Sequence, residues 1–219
     1  MKNKTYFFLF LLFAHQSYSL LSKQTYPQED SQLWLSAQIE YNLNKEIELQ
    51  LSEEIRFYKN RSVLSQSLID FGIAYKITDF FKAGIYYRYR ILTDEDERRN
   101  EIYTNLTLKP SLGKLEISNR IRIHIKFKEN KESINNLRDM LLIGYKIKDW
   151  AKPYIGCELF YRIFYEDGDR LTQGRYYLGL KSKLFKYHEL DLFFMLEYEY
   201  NTPKAINSSV IGFAYTFNL

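Results

Sequence analysis

Apolar and polar residues alternate along most of the chain beyond residue 32, so that every second side chain is apolar. The segment 115–127 shows this pattern most cleanly. Its apolar positions are Leu115, Ile117, Ile121, Ile123, Ile125 and Phe127, and the positions between them hold Glu116, Ser118, Arg120, Arg122, His124 and Lys126. Alternation places the two sets on opposite faces of a β-strand, whereas helical geometry would scatter the charges around the whole surface. The pattern therefore predicts an all-β protein.

Continued along the chain, the alternation predicts about eleven strands, most of them about 12 residues long. A tilted strand needs about 9–11 residues to cross a membrane. The predicted strands span 32–43, 46–58, 64–76, 80–92, 100–109, 114–127, 134–147, 152–164, 171–184, 189–201 and 206–219. They make residues 32–219 one domain, for which we predict a transmembrane antiparallel up-and-down β-barrel of 10–12 strands.

Strand number and connection length refine this prediction. Single-chain bacterial barrels have even strand numbers, so we expect 10 or 12 strands rather than 11. Either the short N-terminal segment 20–31 contains a further strand, or the strand near Trp34 lies partly outside the wall. The predicted connections alternate between tight turns, such as Asn44 and Lys45, and longer charged loops, such as 93–99. Tight turns at one end and longer loops at the other are typical of outer-membrane barrels.

The first 19 residues have the features of a secretory signal peptide. Lys2 and Lys4 provide the positive charge, an apolar run of nine residues covers 6–14, and Ser17 to Ser19 offers a cleavage site with small residues. The run is too short to cross a bilayer as a helix. We therefore expect an exported protein located in the bacterial outer membrane.

Two features favour a membrane barrel over a soluble lipocalin-like carrier, which would turn its apolar face inward. Tyrosines on the apolar face would form an interfacial girdle: Tyr75, Tyr87, Tyr89, Tyr145, Tyr161, Tyr198 and Tyr200. Small residues on the polar face suit a crowded lumen: Gly72, Ala74, Gly84, Gly144, Gly156, Gly179, Gly212 and Ala214. The soluble periplasmic carrier remains an alternative.

The end of the chain adds a more specific mark. Apolar residues alternate up to the last position, at Ile211, Phe213, Tyr215, Phe217 and Leu219. This resembles the C-terminal signal that the barrel assembly machinery reads, although Leu219 stands where a final Phe is usual. We expect that machinery and outer-membrane lipid to be partners of the chain.

The polar face carries the candidate functional residues. If it faces the lumen, arginines outnumber carboxylates in the half nearer the longer loops. The candidates are Arg56, Arg88, Arg90, Arg120, Arg122, Arg138, Arg162, Arg175, Glu54, Glu158, Glu197 and Glu199. One interpretation is a plug of arginine–carboxylate pairs in a narrow barrel. The other is a constriction or pocket for a small anionic solute. We favour the plug.

Catalytic chemistry has little support in the sequence. His124 shares a face with Ser118, but six residues along one strand separate them by about 20 Å, too far for proton transfer. His188 lies at a predicted turn, and no phosphate loop, dinucleotide motif or zinc spacing is present. We therefore expect no enzyme activity, catalytic residue, metal, cofactor or nucleic-acid partner. An outer-membrane lipid-modifying enzyme, with His124 as its base, is kept as an alternative.

An ordered series of short motifs suggests a family. Trp34 precedes the segment 41–45, and arginine–tyrosine motifs follow at 56–58, 84–90 and 175–179, with 118–122 and Pro153, Tyr154 and Glu158 between them. The series resembles the domain-of-unknown-function 2490 family of outer-membrane β-barrel proteins, over nearly the whole mature chain. His124 stands where that resemblance leads us to expect an acidic residue. The resemblance implies a barrel and export, and it brings no established activity.

Overall fold

Twelve β-strands make up the computed structural model, which describes residues 28–93, 96–128, 131–148, 150–166, 168–202 and 205–219. The predicted signal peptide, 1–19, lies outside the described residues. The strands are β1 Gln28–Asn42, β2 Ile47–Tyr58, β3 Val63–Thr78, β4 Phe81–Leu92, β5 Glu97–Leu108, β6 Ser111–Leu112, β7 Leu115–Lys128, β8 Lys131–Tyr145, β9 Lys152–Ile163, β10 Arg170–Phe185, β11 His188–Glu199 and β12 Ile206–Asn218. Among the described residues, no helix is long and apolar enough to cross a membrane.

Eleven of these strands close into a barrel. Each pairs antiparallel with its neighbours in the chain, β5 pairs directly with β7, and the two-residue β6 pairs only with β7. The wall closes where β1 pairs with β12 in parallel, from Gln28 opposite Ile206 to Glu40 opposite Asn218. With an odd number of alternating strands, the first and the last run in the same direction, so the closing pair must be parallel.

The predicted barrel is therefore confirmed, and its eleven spans all correspond to wall strands. Our preference for an even number was wrong, and so was the suggestion that the strand near Trp34 leaves the wall. That strand pairs on both sides, and it begins at Gln28, inside the segment 20–31 that the sequence pattern places before the barrel.

The expected difference in connection length is also not observed. We call one end of the barrel the turn end, with connections 43–46, 79–80, 109–114, 146–151 and 186–187. The other is the loop end, with 59–62, 93–96, 129–130, 164–169 and 200–205. Connections at both ends contain two to six residues, because strands such as β5 continue through the charged residues 97–99. Among the described residues, lysines outnumber carboxylates in the connections of the turn end.

The two faces of the wall have opposite composition. Large apolar side chains point outward and are exposed; Leu178 and Ile155, for example, are 60% and 59% exposed. Charged side chains point inward and are buried, including Glu101 at 0% and Glu158 at 1%. The interior is thus charged rather than apolar, unlike the cavity expected of a lipocalin-like carrier.

The predicted small residues make room for aromatic rings inside the barrel. A Cβ atom added at Gly72 would overlap the ring of Tyr86, and one at Gly179 would overlap Tyr154. The same relation holds between Gly212 and Phe193. In each pair the ring comes from the neighbouring strand at the directly opposite position, and it occupies the space that a Cβ atom would need. These rings fill the turn half of the lumen, as in the aromatic rescue of strand glycines.

Candidate functional site

The middle of the lumen contains a cavity of about 230 Å³. The alternation of each strand turns every second residue towards it, and cross-strand register sets which side chains meet. The charged side chains that line it are Arg56, Arg88, Arg120, Arg122, Arg138, Arg175, Glu54, Asp70 and Glu158. These residues come from seven different strands of the wall, so the site exists only in the closed barrel.

Glu158 is the centre of the largest ionic cluster. One of its carboxylate oxygens accepts hydrogen bonds from Arg138, at 2.8 and 3.1 Å, and from Arg120, at 3.1 Å. The other oxygen accepts from the Tyr177 hydroxyl at 3.2 Å and lies 3.6 Å from a guanidinium nitrogen of Arg175. Donors from β7, β8 and β10 thereby converge on one carboxylate of β9. They cross-link neighbouring strands through charge-assisted bonds.

Trp34 connects this cluster to the strands on the other side of the closing pair. Its ring contacts two guanidinium groups, with Arg56 3.6 Å and Arg175 4.9 Å from the ring centroid. Arg175 also donates to Glu197 at 2.6 Å, and Arg56 pairs with Glu54 on its own strand. Cation–π contacts of this kind gain strength where water is excluded.

A second cluster surrounds Asp70. Arg88 lies opposite it across the β3–β4 ladder and donates two hydrogen bonds, at 2.8 and 3.0 Å. The Tyr103 hydroxyl donates a third at 2.9 Å. Arg122 stacks on the Tyr103 ring, 3.9 Å from its centroid, and its Nε donates to the Asn105 side chain at 2.7 Å. Asp70 is therefore fully engaged, whereas Arg122 has a neutral partner.

The candidate bases are both engaged by neighbours. His124 is 1% exposed, and its Nε2 lies 2.9 Å from the carboxylate of Glu101. Arg90 donates to the same carboxylate at 3.0 Å. His188 lies near the turn end, where its Nδ1 is 2.6 Å from the hydroxyl of Tyr215. At position 124, where the family resemblance leads us to expect an acidic residue, the chain thus has a histidine, and the carboxylate beside it is that of Glu101 on β5.

The structure brings most of the predicted site residues together. Eight of them line the cavity: Arg56, Arg88, Arg120, Arg122, Arg138, Arg175, Glu54 and Glu158. Glu197 does not line the cavity, but it accepts a hydrogen bond from Arg175, which does. Arg90 lies two residues beyond Arg88 on β4, towards the loop end. Two lie farther away, near the loop end: Arg162 stacks on Tyr165, 3.6 Å from its ring centroid, and Glu199 accepts a hydrogen bond from the backbone of Ile206.

Sequence reasoning missed several neutral and acidic members of the site. Asp70, Tyr103 and Tyr177 line the cavity and form hydrogen bonds in its two ionic clusters, but none of them is among the candidates selected from the sequence. Parity along the strand could have found them, because Asp70 precedes Gly72 by two residues and Tyr177 lies between Arg175 and Gly179 on the same face. They are missed when candidates are selected mainly because arginines are in excess on the inward face.

The arrangement suits the binding of anions better than bond-making chemistry. Guanidinium groups are always charged and present planar donor forks that match carboxylate and phosphate oxygens. Among the described residues, no group of three His, Cys, Asp or Glu side chains is placed to hold a metal ion. The one cysteine, Cys157, is a free thiol, half-buried on the outward face.

Comparison with known proteins gives one result. The family model described as "Protein of unknown function (DUF2490)" matches residues 31–208, which is most of the chain and of the barrel. No curated protein and no solved structure matches the chain. The chain therefore belongs to the DUF2490 family.

Proposed function

We propose that this protein is a non-enzymatic barrel of the bacterial outer membrane. The observation that carries the proposal is the reversal of polarity between its faces, with exposed apolar side chains outside and buried charged ones inside. Soluble monomers rarely expose apolar patches larger than a few hundred Å². An apolar belt around a closed barrel is instead stable in lipid, because closure pairs every backbone group and leaves no strand edge.

The dimensions of the barrel agree with this setting. Its wall strands contain 12–16 residues, and about 9–11 residues suffice for a tilted membrane strand. Outward tyrosines such as Tyr75, Tyr87, Tyr145 and Tyr161 are exposed, as expected for rings at a membrane–water interface. The signal peptide predicted at 1–19 supports export. The outward alternation of β12 supports recognition by the barrel assembly machinery.

Inside the barrel, the side chains support a plug rather than a wide channel. Ionic clusters around Glu158 and Asp70 bridge strands, and Trp34 packs with Met195 and Val210 in a small core. Eight-stranded barrels are filled by side chains, and 16-stranded porins are open. A barrel of eleven strands has an intermediate width, so long arginine and aromatic side chains are needed to fill its lumen. Side chains of these kinds line the lumen here.

No observation of this kind supports either alternative function, the soluble carrier or the lipid-modifying enzyme. A lipocalin-like carrier requires an apolar cavity, and the cavity here is lined by charges. A lipid-modifying enzyme requires its base on the lipid side of the wall, and His124 faces the lumen and pairs with Glu101. We therefore assign His124 a structural role in the luminal network.

Membrane fractionation and gel mobility test the proposal. We expect the protein in the outer-membrane fraction, and we expect faster migration before boiling than after it, because a closed barrel resists unfolding by detergent. The variant Leu11→Arg, which interrupts the apolar run of the signal peptide, should remain in the cytoplasm. Recovery of the wild-type protein in the soluble periplasmic fraction, without a heat-dependent shift, would refute the proposal.

Conductance across planar bilayers tests the plug. A lumen filled by side chains should give no steady conductance in the wild-type barrel. The variant Glu158→Ala, which removes the centre of the largest ionic cluster, should show frequent opening events if the barrel still inserts. Steady, large conductance steps from the wild-type protein would contradict the plug.

A further inference from the structure

The central cavity has two unlike walls. Arg120, Arg122, Arg138 and Arg175 line it from β7, β8 and β10, whereas β1 contributes the neutral side chains of Ser36 and Gln38. The cavity volume is about 230 Å³, and one water molecule in the liquid takes up about 30 Å³. The cavity is thus large enough for a phosphate or for a small organic acid.

Positive charge exceeds negative charge around this cavity. Six arginines and three carboxylates line it, and Glu197, just outside, provides a fourth carboxylate through its bond to Arg175. Two positive charges therefore remain uncompensated by the side chains of the site. Arg122 and Arg138 also lie directly opposite one another across the β7–β8 ladder, a position in which like charges repel.

Arg122 is the arginine that this excess leaves without a counter-ion. It is 6% exposed, and its Nε is bonded to the neutral Asn105. Among the described side chains, no carboxylate lies within ion-pairing distance of it, and its side chain lines the cavity. The neighbouring Arg120 pairs with Glu158 through one nitrogen, while its buried Nε has no partner among the described residues. Buried charges of this kind are normally paired.

We propose that the central cavity binds a small oxyanion with two or three negative charges, a phosphate or a di- or tricarboxylate, between Arg122 and Arg120. The proposal rests on the function proposed above, since it assigns a ligand class to the lumen of the same barrel. Planar guanidinium forks recognise phosphate and carboxylate oxygens in pairs. The hydroxyl group of Ser36 can donate to a remaining oxygen, whereas the Gln38 amide already bonds to Glu40 and Gln50. The anion thereby completes the ionic network of the lumen.

Thermal stability in defined salts tests this proposal. The purified barrel is folded in detergent and dialysed into chloride, and the temperature midpoint of its heat-dependent mobility shift is measured. Sodium phosphate and sodium citrate are then titrated at constant ionic strength. We expect a saturable rise of the midpoint with at least one of them, because a ligand that binds only the folded state stabilises it. The two salts distinguish phosphate from carboxylate recognition. A midpoint that does not change, or that rises without saturation, would overturn the proposal.

Substitution of Arg122 provides the specific control. In chloride, Arg122→Met should be at least as heat-resistant as the wild-type protein, because a buried uncompensated charge is removed. Its apparent affinity for the active anion should fall about tenfold or more, as expected for the loss of charged hydrogen bonds. Arg162→Met, at the loop end of the same lumen, should keep the wild-type response. An unchanged response in Arg122→Met would overturn the proposal.

Two further measurements keep the test decisive. If Arg122→Met does not fold, Arg122→Lys retains the charge without the planar fork and should show a weaker, saturable response; a wild-type response would count against the site. The heat-dependent shift itself is measured without any added anion, so its absence would reject the membrane barrel. A normal shift that ignores phosphate and citrate would reject only the anion site.

Discussion

A glutamate has opposite surroundings on the inner and outer faces of the barrel wall. Glu158 and Glu53 are each the seventh residue of a 12-residue strand that runs from the turn end to the loop end. Glu158 points inward, is 1% exposed and receives bonds from two arginines and a tyrosine. Glu53 points outward and is exposed between Ala37 and Ile69, and no described side chain donates to it. At the same position along the strand, therefore, a carboxylate is fully hydrogen-bonded on one face and has no side-chain donor among the described residues on the other.

This contrast explains why the barrel needs its interior charges. Long polar side chains fill a lumen that is too wide for aliphatic ones, and a buried charge there is costly unless it is paired and hydrogen-bonded. Removing one partner leaves the others buried and unpaired. On the outer face the surroundings are apolar, so a charge is a local defect that a leucine would remove.

The largest expected effect comes from Glu158→Leu. This change leaves Arg120 and Arg138 without their shared carboxylate and weakens the partnership of Arg175. Breaking a buried ion pair costs about 3–5 kcal/mol. Urea unfolding, followed by gel mobility without boiling, measures the loss. A variant as stable as the wild-type protein would show that the cluster is not structurally important.

Leu178→Arg tests the outer face at the middle of β10, where the leucine is 60% exposed. A lipid-facing arginine costs about 2–4 kcal/mol at the bilayer midplane and about 0–1 kcal/mol near the interface. Leu184→Arg, on the same face close to the turn end, should therefore be much milder. The comparison requires folding into lipid vesicles. Equal effects at the two positions would argue against a membrane-embedded wall.

Gly179→Ala tests the packing of aromatic rings inside the turn half. The added methyl group overlaps the ring of Tyr154, and overpacking of this kind costs about 1–3 kcal/mol. Gly144→Ala is the matched control, because its nearest neighbours would lie at an ordinary contact distance of 3.6 Å. That variant should be neutral, or up to about 1 kcal/mol more stable. Similar losses of stability in both would mean that ring packing does not set the effect.

The smallest expected effect is that of Glu53→Leu, which should stabilise the folded barrel in lipid by about 1 kcal/mol, since lipid-facing Asp and Glu cost less than Arg and Lys. Asp139 offers a control on the same face, because it accepts a hydrogen bond from Asn119 at 2.6 Å. Asp139→Leu removes that bond and should gain less. A loss of stability in Glu53→Leu would indicate that Glu53 has a partner on the outer face.

Strand positions and facing could be predicted from the sequence, but register and closure could not. Alternation alone located the eleven wall strands and placed residues such as Arg122 and Glu158 on the inward face. It carries no information on which strands meet, so the convergence of Arg120, Arg138 and Arg175 on Glu158 appears only once the pairing is known. The parallel β1–β12 closure was missed because the expectation of an even strand number overrode the count.

The most direct test of the central claim measures the surroundings of the outer face. In a Cys157→Ser background, a nitroxide spin label is attached at Leu178→Cys or at Phe164→Cys, the latter at the loop end and 85% exposed in the parent protein. The barrel is folded into lipid vesicles, and collisions of each label with oxygen and with a water-soluble nickel complex are compared by electron paramagnetic resonance. A lipid-facing wall predicts that the label at 178 collides mainly with oxygen and the label at 164 mainly with nickel. Equal nickel access at both positions would contradict it.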